Sequence, residues 1–70
     1  MSDNLQRYTH TVAALLGALG PRSRARVMLT LRALGLSEAD ARDEIERGLA
    51  ERLFEADPAD PETLRALPPS

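Results

Sequence analysis

The sequence has no cysteine and no tryptophan, and its seventy residues include a single histidine, a single tyrosine and a single phenylalanine. Without cysteine there is neither a disulfide framework nor a thiolate for zinc, and one histidine does not build a usual structural metal site. So few aromatic residues also argue against a sheet-dominated core. No apolar run reaches the length needed to cross a bilayer. The opening Met1-Ser2-Asp3-Asn4 lacks the positive n-region and long apolar run of a secretory signal, so the expectation is a soluble, cytoplasmic chain. A formal net charge of −2 gives no overall field that would drive the chain onto phosphate backbones.

What is abundant is leucine, alanine, arginine and glutamate, the composition of helices packed through aliphatic seams. The expected class is all-α: one domain, 1–70, in the form of a small antiparallel three-helix bundle with a short C-terminal fourth helical turn. At this size a chain buries roughly 60% of the surface its unfolded form exposes, which makes an isolated core marginal. With disulfides and metal excluded, oligomerisation is the remaining source of stability.

The first helix is expected over about 4–19. Leu5, Tyr8, Val12, Leu15 and Leu19 recur at three- and four-residue steps, Leu16 widens the stripe, and Gly20-Pro21 closes the segment. A second helix over 22–34 carries Ala25, Val27, Met28, Leu29, Leu31, Ala33 and Leu34 around most of its circumference. That predicts a central position in the bundle, with Gly35 ending it and Leu36 making the contact that follows a C′ glycine. The third helix, over 37–56, opens on Ser37 as N-cap with Glu38 and Asp40 in its first turn, and Ala41, Ile45, Leu49 and Leu53 repeat at i+4 as its core face. Asp57-Pro58-Ala59-Asp60-Pro61 then breaks the helix. Asp60 and Pro61 are placed to start a last helical turn over 61–67, in which Leu64 and Leu67 fold back on the bundle.

Few residues suggest catalysis. His10 stands off the apolar seam between Thr9 and Thr11, with no G-x-S-x-G or cysteine motif to pair with it. Asp40, Asp43, Glu44 and Glu51 are carboxylates of one helix, but Arg42 and Arg47 sit among them, and a solvated, salt-bridged face is the reading they favour. Gly17 and Gly20 belong to no phosphate-binding loop. No catalytic residue, metal ligand or cofactor is therefore assigned, and the chain is not expected to be an enzyme.

Two binding readings remain. In the first, the chain is a helical interaction or adaptor module, acting by helix packing as a homodimer and on an unidentified protein. Its interface would be the seam Leu5, Tyr8, Val12, Leu15 and Leu19, with Arg22, Arg24, Arg26 and Arg32 as a contact for a polyanion or acidic partner. The second reads Arg22 to Leu49 as a helix-turn-helix that binds DNA. A recognition helix offers base-reading donors at its start, whereas Glu38-Ala39-Asp40-Ala41-Arg42-Asp43-Glu44 offers carboxylates, so nucleic acid is disfavoured.

Overall fold

The fold is taken from a computed structural model that describes the backbone of residues 2–68 and the side chains of residues 8–68. The first helix, α1 (Ser2–Leu19), stops at the expected glycine. Gly20 adopts φ +89°, and its N–H donates to the Leu16 carbonyl at 3.0 Å, closing the helix end with a left-handed residue that carries no Cβ. Proline does not start the next helix directly. Arg22–Ser23 form a two-residue strand, β1, and Ser23 is the N-cap of α2 (Arg24–Ala33), accepting from the Arg26 N–H at 3.2 Å.

Gly35 ends α2 with φ +107°. The Gly35 and Leu36 N–H groups donate to Arg32 and Leu31, the paired bonds of a Schellman end. Ser37 then caps α3 (Glu38–Ala50), accepting from the Asp40 N–H at 3.1 Å as its sequence predicts.

Beyond Ala50 the all-α expectation is overturned. The chain forms β2 (Phe54–Asp57) and β3 (Asp60–Ala66), and with β1 these make a three-stranded antiparallel sheet in the order β1-β3-β2. The molecule is α+β, not a helical bundle, and the third helix ends six residues short of its expected limit. Arg52 causes the early stop. It takes φ +58°, a left-handed conformation, while its N–H donates to Leu49 and the Leu53 N–H donates to Gly48 at 2.9 Å. This is a second Schellman end, made without glycine.

The stop aims Phe54 back at α3, where Gly48 leaves room for the ring, since a Cβ there would overlap it. Asp57 pairs with Asp60 across Pro58-Ala59, and its Oδ1 accepts from the Ala59 N–H at 2.8 Å, so the breaker becomes a hairpin turn. Asp60 makes the cap-like bond expected of it, accepting from the Glu62 N–H at 3.2 Å, but the residues that follow are extended. Pro61 sits where the register jumps from Asp57↔Asp60 to Ala56↔Leu64, so its missing N–H falls in the bulge. Leu64 faces the core while Leu67 points to solvent, an alternation that replaces the helical turn read from their spacing.

All layers meet in one cluster. Val12 and Leu16 from α1, Val27 and Leu31 from α2, Ala41 and Ile45 from α3, Phe54 from β2 and Leu64 from β3 are buried together. Charge is divided between the two halves of the chain: ten of its eleven acids lie between Glu38 and Glu62, and the first thirty-seven residues hold five arginines and one aspartate.

Candidate interaction surface

An open apolar groove lies between α1 and α2. Helix α1 turns Val12 and Leu16 into the core, which leaves Leu15 and Leu19, one turn apart, on the side facing α2. From α2, Leu29 and Ala33 line the opposite wall, with Val27 in the floor. The result is a groove of about 430 Å³, with Arg22, Arg26 and Thr30 completing its lining. Leu19 and Leu29 keep 57% and 62% of their surface in water, so the groove is a surface feature and not an enclosed cavity.

The expected interface seam is divided by this arrangement. The Leu5 side chain lies outside the described residues. Tyr8 packs half-buried against the core, Val12 belongs to the core itself, and Leu15 and Leu19 stand on the surface. The second helix is less central than its composition predicts. It buries only Val27 and Leu31, while Leu29 and Leu34 face solvent. Leu29, Thr30 and Ala33 complete the groove and were not legible as a site, because a helix apolar on most of its circumference does not reveal which side its neighbours cover.

The arginines expected to meet an acidic partner also separate into two pairs. Arg24 donates to the Pro61 carbonyl at 3.2 Å and bridges Glu46 at 3.4 Å, and Arg32 lies 4.0 Å from Glu38. Arg22 and Arg26 line the groove, and neither has a carboxylate partner among the described residues. The Arg22 guanidinium donates to the neighbouring Pro21 carbonyl, at 2.7 Å. The Thr30 hydroxyl donates to the Arg26 carbonyl at 3.0 Å, so its proton is already engaged within the helix.

The helix-turn-helix face has different chemistry. At the start of α3, Glu38 accepts from Arg42 at 3.2 Å and lies beside Arg32, so both nearby guanidiniums are turned toward a carboxylate. Asp40 and Asp43 are exposed along the same helix, and the hairpin that follows carries Asp57 and Asp60 at its turn. Glu44 departs from the solvated face expected of it. It is fully buried and accepts from the Thr9 hydroxyl.

His10 is exposed on α1. Among the described residues, no three histidine, aspartate or glutamate side chains converge as a metal site, and no helix is long and apolar enough to cross a membrane. In comparisons with known proteins, no family model, no curated protein and no solved structure matches this chain.

Proposed function

We propose that this chain is a small cytoplasmic interaction module, not an enzyme, that holds a protein partner by helix packing in the groove between α1 and α2. The observation that carries this reading is the pair Leu19 and Leu29, two large aliphatic side chains more than half exposed on facing walls of one groove. Clustered apolar surface of that kind on a small chain is what a partner covers. Loss of groove-dependent partners tests it. In capture from a cell lysate, the wild-type chain should retain proteins that the Leu19→Glu/Leu29→Glu variant does not, and identical retention by both would overturn the reading.

DNA binding is the competing reading, favoured by one observation: α2, the Gly35 turn and α3 have the order of a helix-turn-helix, with a hairpin next to it. Electrostatics weighs against it, because the base-reading position is occupied by Glu38 and Asp40 and the hairpin turn by Asp57 and Asp60. A homodimer is the other form of the interaction reading. Two copies joined groove to groove about a two-fold axis would bring Arg22 and Arg26 toward their own images, and like charges at a desolvating interface oppose that arrangement.

A further inference from the structure

We infer that the occupant of the groove is an amphipathic helix of another protein whose apolar stripe is flanked by carboxylates. This rests on the interaction reading and adds the chemistry of the partner. The wall residues ask for leucine-like anchors. From Val12 to Leu19 the α1 wall runs for about 10 Å at 1.5 Å per residue, two turns of a docked helix, which suits anchors at i, i+3 or i+4, and i+7. The lining guanidiniums ask for acids. Of the four arginines between residues 22 and 32, Arg24 and Arg32 lie beside carboxylates of α3, while the two that line the groove, Arg22 and Arg26, have none among the described residues. The Thr30 proton is engaged within its own helix, so toward a ligand this hydroxyl can only accept.

A second copy of the chain does not supply such a segment. Its acids are concentrated between Glu38 and Glu62, but of the large apolar residues in that stretch Ile45 and Phe54 are buried in the core and Leu49 and Leu53 are half-buried against it. The exposed leucines 15, 19, 29 and 34 lie in the arginine-bearing half, and only Leu67 is exposed beyond the acids. Among the described residues, no helix therefore offers a stripe of exposed leucines bordered by carboxylates. A single acyl chain with an acidic head would match the charge, but an open groove leaves much of it in water, whereas small ligands are held where about 70–90% of their surface is buried.

The test uses the whole chain and three labelled helical peptides of about 15 residues, long enough to populate a helix when docked. Each carries leucines at i, i+3 and i+7, flanked by glutamate, by glutamine or by lysine. Fluorescence anisotropy should show the glutamate peptide binding on the order of tenfold tighter than the glutamine peptide and tighter still than the lysine peptide, the scale of two partly exposed charge pairs. The Arg22→Glu/Arg26→Glu variant should reverse that order, and Leu19→Glu should abolish binding of all three. These are surface positions, and unchanged circular dichroism and melting temperature would show that the variants are folded. Equal binding of the three peptides, lost in Leu19→Glu, would keep the interaction reading and overturn the acidic partner. A dimer in sedimentation equilibrium that dissociates on Leu29→Glu would overturn the separate partner in favour of a second copy. A monomer that binds no peptide would overturn both.

Discussion

The Thr9 hydroxyl of α1 donates to the Glu44 carboxylate of α3 across the helix interface, and both side chains are buried. The other Glu44 oxygen, Oε2, is buried with no hydrogen-bond partner among the described residues. A carboxylate taken out of water is costly, and the Thr9 bond offsets part of that cost. Thr9→Val should therefore destabilise the chain by about 1–3 kcal/mol, because the carboxylate stays buried without its donor. The double variant Thr9→Val/Glu44→Met removes both polar groups and should be at least as stable as the wild type. Urea denaturation of the two singles and the double gives the cycle. A Thr9→Val loss within about half a kcal/mol, the range of ordinary surface sites, would show that the bond contributes nothing.

Gly48 lies in the last turn of α3, where alanine has the better helix propensity by up to about 1 kcal/mol. Packing dominates here, because the added Cβ would overlap the ring of Phe54, which is buried against that spot. Gly48→Ala should cost about 1–3 kcal/mol, as overpacked core sites do. If the melting temperature rises instead, Phe54 is free to move and propensity prevails.

Arg52 and Leu64 show why the C-terminal part is illegible in the sequence. The stop at Arg52 uses a left-handed conformation that glycine normally signals, and arginine gives no such cue. Leucines at 64 and 67 are spaced for a helical turn, and only the pairing of Leu64 with Arg22 and Ala56 decides for a strand. Tertiary pairing across some forty residues is not written in local periodicity. By contrast, Gly20, Gly35 and Ser37 act locally, and each ends or starts its helix where the sequence places it. The site divides in the same way. Leu15, Leu19, Arg22 and Arg26 could be named from helix one and the arginine cluster, but Leu29 could not, because its exposure depends on how α2 is rotated in the fold.

Arg52 holds a backbone conformation that costs an L-residue about 1–2 kcal/mol relative to right-handed helix. Glycine escapes that cost but loses more entropy on folding, about 0.5–1 kcal/mol. Arg52→Gly should therefore stabilise the chain, by up to about 1 kcal/mol. Its side chain is exposed, so little packing is lost. Chemical denaturation at constant m-value checks this, and a loss of stability would mean that the guanidinium makes a contact worth more than the strain.

Ile45 and Glu46 are adjacent in α3 but differ in burial. Ile45 is buried in the core, whereas Glu46 is exposed and makes one 3.4 Å bridge to Arg24. Ile45→Ala should cost about 2–5 kcal/mol through lost burial and a cavity. Glu46→Ala should stay within about half a kcal/mol, since exposed pairs contribute little. Leu49 is half-buried, so Leu49→Ala should fall between them. A Glu46 variant as damaging as the Ile45 variant would place α3 in a different rotation.

The last prediction concerns the helix-turn-helix outline, and it separates topology from chemistry. Base reading needs donors at the start of α3, yet Glu38 holds Arg42 there and lies beside Arg32, while Asp40 is exposed beside them. In fluorescence anisotropy at ~150 mM salt, where purely phosphate-driven binding fades, duplex DNA should bind weakly and without sequence preference. Glu38→Gln/Asp40→Asn removes two negative charges and frees Arg32 and Arg42. It should strengthen phosphate binding at low salt and make it more salt-dependent, because more cations then reach the backbone. It should not create sequence preference, which needs side chains placed against base edges. Nanomolar, sequence-selective binding by the wild-type chain would reverse this conclusion: α3 would then read DNA despite its acids, and the leucine groove would lose its claim to be the principal binding surface.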